Sequence, residues 1–210
     1  MKSAEIEEAV VQGDAAGVVS LLNQALADGV DPMAIVAEHL VPAMAEVGAR
    51  FERGEFFVPE MLMSASAMQS GMGVLKPLLA GQQTVRARRV VIGTVQSDIH
   101  DLGKNLVAMM LSGAGFEVED LGSDVAPEKF VEAVRQKKAH ILGISALMTT
   151  TMTGMRDTVE ALVAAGLRDR VKVMVGGAPL NQAYAEEIGA DAYAPDAWAA
   201  VKLAKELLES

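Results

Sequence analysis

Two textures divide the chain. Through the first 80 residues apolar positions recur at intervals of three and four, with breaks at Gly13, Gly29 and Gly54, a spacing that predicts amphipathic helices. Asp31 followed by Pro32 reads as an N-cap with proline in the first helical turn, opening a segment that runs towards Arg53 despite Pro42. Val58 and Pro59 open the next helix, on which Met61, Ala65, Met68, Met72, Leu75 and Leu79 alternate spacings of four and three to form one apolar seam. Residues 1–80 are therefore expected to form a small four-helix bundle, and the polar, aperiodic stretch 81–89 a linker. From Val90 the pattern changes to short β-rich runs at Val90–Val95, Phe116–Leu121, Ile141–Ser145 and Val171–Val175, with a weaker one at Ala190–Ala194. Helical periodicity separates them, so residues 90–210 should be an α/β domain with a five-stranded parallel sheet of Rossmann or flavodoxin-like order. Such sheets bind ligands at the carboxyl ends of their strands, where the strand order reverses.

Composition narrows the chemistry. At 51% hydrophobic and 22% charged residues the chain can bury a core. A formal charge of −10 argues against a nucleic-acid partner, since the one basic cluster, Arg86, Arg88 and Arg89, is short. No apolar run approaches the roughly 20 residues of a membrane helix. The start, Met1-Lys2-Ser3-Ala4-Glu5, lacks the apolar region of a signal peptide, so the expected location is the cytoplasm. With no cysteine there can be no disulfide, iron-sulfur ligation or thiol nucleophile, and the three histidines become the candidate nitrogen donors.

The strand ends carry the informative residues. After the first strand comes Ser97-Asp98-Ile99-His100-Asp101-Leu102-Gly103-Lys104-Asn105. A histidine on a loop at this edge can reach a metal through one imidazole nitrogen, while a carboxylate two residues earlier accepts the proton of the other. The third strand leads into Ser145, Leu147, Thr149 and Thr151, hydroxyls suited to a buried polar ligand, and the fourth ends at Gly176 and Gly177, where backbone can approach a ligand closely. Each piece has an ordinary reading: a surface histidine, a turn, a threonine capping the helix that follows, a methionine seam that is plain core. Their convergence on one crevice is what points to a site.

With these motifs in place the sequence resembles the corrinoid proteins of cobalamin-dependent methyltransferase systems and the cobalamin-binding module of methionine synthase. The signature is Asp98-x-His100-x-x-Gly103, then Ser145-x-Leu147, then Gly176-Gly177. The resemblance implies a cobalamin or related corrinoid whose dimethylbenzimidazole tail leaves the cobalt and enters a deep slot, with His100 replacing it on the metal. It further implies that His100 is hydrogen-bonded to Asp98 and then to Thr151, where a serine is usual. Ser145 and Thr149 would contact the tail, and Leu147, Gly176 and Gly177 would shape its slot. Ser97, Ile99 and Asp101 belong to the same cofactor loop, and Tyr193 to Ala197 would lie near the corrin edge. The helical half resembles the family's cap, with Phe51 and Val58 at the capping positions.

On this resemblance the chain is a methyl carrier, with no acid-base pair of its own for substrate activation. The resemblance implies a substrate-specific methyltransferase that loads the methyl group, a second methyltransferase that passes it to tetrahydrofolate or coenzyme M, and a reductive activase, with the linker 81–89 as hinge. A small subunit of an adenosylcobalamin-dependent mutase shares the histidine loop, but Asp101 after His100 and the cap favour methyl transfer. A phosphorylated receiver would need an aspartate where Ser145 stands, and a metal hydrolase would need further histidines, whereas His39 and His140 are expected on a helix and at a strand's start.

Overall fold

The structure, a computed structural model, describes residues 3–79 and 88–209. The chain divides into two compact units, one built on Met1–Arg86 and the other on Ala87–Leu111 and Phe116–Ser210. Of the expected linker, residues 81–87 lie outside the described residues.

In the first unit the helices are α1 (Ser3–Val11), α2 (Ala15–Ala27), α3 (Pro32–Ile35), α4 (Val41–Glu52) and α5 (Val58–Leu79). Asp31 caps α3 as expected, its carboxylate accepting the Ala34 N–H at 3.0 Å. The segment from Pro32 to Arg53 stays helical past Pro42 by widening into a π turn over Val36–Leu40, where the Val41 N–H reaches back to the Val36 carbonyl. That slips the register by one residue just ahead of a proline that can neither donate nor tolerate the ordinary carbonyl beneath its ring. Of the seam on α5, Met61, Ala65, Met68 and Leu75 are buried, packed in a core that includes Val10, Val18, Leu22, Leu40 and Val47. Burial of this stripe, more than the helices' own propensity, holds the bundle. No helix among the described residues is long and apolar enough to cross a membrane.

The second unit is α/β. Its strands are β1 (Arg89–Thr94), β2 (Glu117–Asp120), β3 (Ile141–Ser145), β4 (Lys172–Gly176) and β5 (Ala192–Tyr193), interleaved with α6 (Leu102–Gly113), α7 (Pro127–Lys137), α8 (Thr153–Ala164), α9 (Gln182–Glu187) and α10 (Ala197–Glu209). All pairs are parallel and the order is β2-β1-β3-β4-β5, the flavodoxin-like arrangement the alternation predicts. The order reverses at β1, between its neighbours β2 and β3.

Register decides which residues face the site. Val91, Leu142 and Val173 form one row, and Ile144, Val175 and Tyr193 belong to a second row of the same parity. Both rows pack into a core with Phe130 and Val134 of α7 and Met155, Val159 and Leu162 of α8. The alternate rows, Ile92-Gly143-Met174 and Thr94-Ser145-Gly176, point to the opposite face because successive strand residues alternate sides.

Candidate functional site

On that opposite face lies a cavity of about 740 Å³, walled by Ile92, Gly143 and Met174 of the sheet, Leu106 and Val107 of α6, and Ala197 and Ala200 of α10. Its volume is typical of a small-molecule site. Gly143 makes the floor low: a Cβ there would meet Ile92 Cγ1 at 3.0 Å, so any larger residue pushes Ile92 from its place. The mouth opens at the carboxyl ends of β1, β3 and β4, where Ile99, His100, Asp101, Gly103, Ser145, Leu147, Gly176 and Gly177 all line it.

His100 is fixed from behind. Its Nδ1 lies 2.8 Å from Asp98 Oδ1, and its backbone N–H donates to the same oxygen at 3.0 Å. The other carboxylate oxygen accepts the Leu147 N–H at 2.8 Å and the Thr151 hydroxyl at 2.7 Å. Asp98 is fully buried while the His100 side chain is 47% exposed. Burial alone would push the Asp98 carboxyl up, but the hydrogen bonds from Leu147, His100 and Thr151 together hold it far below the ordinary carboxylate range. An ionised Asp98 can only accept, so Nδ1 carries the proton and the lone pair sits on Nε2. Thr151 does not cap α8, as its ordinary reading would have it: α8 begins at Thr153 without a side-chain cap, and the Thr151 hydroxyl turns to Asp98 instead. The extra methyl of threonine does not prevent that reach.

The rest of the expected set divides. Ser97 belongs to the loop but donates its N–H away from the cavity, to Asp124. Thr149 is exposed on the turn after β3 and is not among the lining residues. Tyr193 packs against the core of the other sheet face, beside its register partner Val175. Ala194, Pro195, Asp196 and Ala197 do line the cavity. Phe51 lies in the last turn of α4, and Phe57 and Val58 are exposed at the start of α5, after a turn in which the Arg50 guanidinium stands 5.3 Å from the Phe56 ring. His140 accepts the Arg89 N–H before β3, at the opposite end of the sheet from the site, and His39 is buried beside Glu7 in the helical unit.

Sequence reasoning missed the cavity floor, Ile92, Gly143 and Met174, and the flank formed by Leu106, Val107 and Ala200. A glycine inside an otherwise apolar strand marks a close approach and was the available signal for Gly143.

Two comparisons bear on what the cavity holds. Models of the B12 binding domain match residues 88–202 and residues 3–76. A dimethylamine corrinoid protein of Methanosarcina acetivorans is 45% identical over 205 residues, covering 97% of this chain and 94% of the relative. The chain belongs to the corrinoid proteins of cobalamin-dependent methyltransferase systems. Solved relatives agree in fold: a cobalamin-binding protein from Desulfitobacterium hafniense matches with a TM-score of 0.79 at 33% identity, over 99% of this chain and 98% of that one. The methanol:cobalamin methyltransferase complex of Methanosarcina barkeri matches with a TM-score of 0.87 at 31% identity, over 98% of this chain and 79% of that one. This protein is thus a corrinoid-binding methyl carrier.

The residues fit such a group. Ile99, Leu102, Leu147 and Met148 are 75%, 85%, 44% and 36% exposed, an apolar patch around the mouth that a flat ring would cover. Gly103 meets nothing within 4 Å of an added Cβ, so the protein itself does not require a glycine there. This corrinoid protein is therefore expected to respond to Gly103→Ala with two opposite signs. Helix propensity should stabilise the apo-protein by roughly 0.5–1 kcal/mol. The new methyl should weaken corrinoid binding, measured by spectroscopic titration; unchanged affinity would show that the space is not the ligand's.

Proposed function

We propose that this carrier takes methyl groups from a methylamine, dimethylamine first, through a dedicated methyltransferase. A second methyltransferase then passes them to tetrahydrofolate or coenzyme M, and a reductive activase restores the carrier after oxidation. His100 would hold the cobalt of the bound corrinoid through its Nε2. The observation that carries the assignment of His100 is its geometry: an imidazole whose Nδ1 proton is locked onto a buried carboxylate, with a half-exposed ring at the mouth of an apolar cavity. A single imidazole donor suits a metal that arrives with its other ligands already in place. The dimethylamine assignment rests on the 45% identical relative of that name. A mutase subunit has no comparable support.

When bound, the corrinoid supplies a cobalt centre that accepts and releases a methyl group. The chain's own residues bind and orient it. Asp98 would hold the Nδ1 proton, which keeps Nε2 as the donor nitrogen, and Thr151 and the Leu147 N–H keep Asp98 ionised. Ser145, Gly176 and Gly177 shape the slot mouth, and the apolar walls exclude water. In the helical unit, Phe57 and Val58, with Phe51 one turn before, are the apolar side chains suited to contact with a flat ring.

The test loads the protein with hydroxocobalamin, reduces it, and follows the visible spectrum with each methyltransferase and its donor. Methylation should be at least about tenfold faster with the dimethylamine enzyme than with those for methanol or monomethylamine. Equal or faster loading from methanol would overturn the donor. Adding the second methyltransferase with each acceptor in turn separates tetrahydrofolate from coenzyme M.

A further inference from the structure

The loop that presents His100 is also held from a second side, by Asp120 and Asp124, neither of which lines the cavity. Apart from Lys138, which ends a helix, the described non-glycine residues with positive φ are Ser97 at +66° and Asp124 at +56°. They are partners. The Ser97 N–H donates to Asp124 Oδ1 at 2.7 Å, and the Asp124 N–H donates to the Asp98 carbonyl at 3.0 Å. A left-handed conformation is costly for a residue with a Cβ, and two such residues in mutual contact persist only where the surroundings enforce them.

At the other end of the loop stands Lys104. Its side chain is fully buried, and its Nζ lies 2.6 Å from Asp120 Oδ1 and 2.6 Å from Asn105 Oδ1. Asp120 closes β2 and also accepts the Gly122 N–H at 2.9 Å. A buried ammonium adds little net stability compared with an apolar side chain of the same shape, so it is better understood as a device of geometry. Both ends of the stretch Ser97–Lys104 are thereby tied to one short segment, Asp120–Asp124. That segment is itself bound to β1, with the Leu121 N–H on the Ile92 carbonyl at 2.8 Å and the Thr94 N–H on the Gly122 carbonyl at 2.9 Å.

We infer that Asp120 and Asp124 are positioning residues for His100, clamping its loop from outside through Lys104 and Ser97. Asp98 fixes the imidazole's tautomer and direction, and the outer clamp fixes where the loop carries it. This rests on the assignment of His100 as the residue that would hold the cobalt.

The experiment uses full-length protein grown on heavy nitrogen, loaded with unlabelled cobalamin and reduced to cobalt(II), and reads nitrogen splitting in the electron paramagnetic resonance spectrum. Heavy-nitrogen splitting in the parent protein with a ratio of ligated to unligated cobalt at least about tenfold lower in Asp124→Ala supports the clamp. So does recovery in Asp124→Asn, which keeps an acceptor at Oδ1. Lys104→Met should lower the ratio similarly, while Lys137→Met, which removes the ion pair to Glu119 on the same strand, should leave it unchanged. Heavy-nitrogen splitting that persists undiminished in a folded Asp124→Ala overturns the clamp alone. An equal fall in Asp124→Ala and Asp124→Asn also overturns it, since the hydrogen bond would then not be the cause. Absence of heavy-nitrogen splitting in the parent protein overturns the assignment of His100 to cobalt, and the clamp with it.

Discussion

Replacing His100 by alanine is expected to leave a folded protein that still takes up corrinoid but shows no nitrogen from the polypeptide on cobalt(II). Methyl transfer should fall by more than about a hundredfold, because removing merely an outer partner of a metal-bound histidine already costs roughly 10–100-fold. The fold should survive, for the imidazole is 47% exposed and packs into no core. Asp98 loses one of its donors but keeps the backbone N–H groups of residues 100 and 147 and the Thr151 hydroxyl. The stability cost is therefore that of one hydrogen bond to a charged group, about 1.5–3 kcal/mol. Thermal melts of the apo-protein, visible spectra of the loaded form and transfer rates measure the three effects separately. Wild-type transfer rates in the variant would remove His100 from the cobalt.

Asp98→Ala would not be a clean substitute for this experiment. It would strip the partner from His100 and leave the Leu147 N–H without its acceptor at the base of the site. Its effect would mix structure with ligation, which is why the exposed member of the pair is the informative one.

The contrast between exposed and buried members also explains how much of the molecule is legible in its sequence. Parallel strands buried on both faces read as continuous apolar runs, so Ile141–Ser145 is delimited to the residue while its two faces are indistinguishable. Only the register shows that Gly143 faces the cavity while Ile144 and Tyr193 face the core. The His100 loop is legible because its chemistry is local, with Asp98 two residues from His100. Asp120 and Asp124 are invisible for the opposite reason, since their partners stand 16 and 27 positions away. In the helical unit the seam on α5 is readable from spacing, whereas the π turn before Pro42 leaves no mark on periodicity beyond the proline itself.

Gly177→Ala tests that long-range architecture with the largest expected structural effect. Gly177 has φ +146°, a conformation that residues with a side chain rarely adopt, and an added Cβ would stand 1.8 Å from the Ala146 carbonyl oxygen and 2.7 Å from Leu180 Cδ1. Backbone strain of about 1–3 kcal/mol and overpacking of a similar size together predict roughly 2–6 kcal/mol lost. At roughly 2–4 °C for each kcal/mol, the melting transition of the α/β unit should drop by about 10 °C. The damage should also reach the metal ligand. Ala146 must move to make room, the next residue is Leu147, and its N–H is one of the bonds that keep Asp98 ionised beneath His100. Corrinoid affinity and the nitrogen signature on cobalt should therefore fall together in whatever fraction remains folded. Gly176→Ala, whose Cβ would meet only the Ala194 carbonyl oxygen at 3.2 Å, should be much milder on both counts. Equal tolerance of the two substitutions would mean that the loops after β3 and β4 are not locked together, and that His100 owes its position to something other than the packing beneath it.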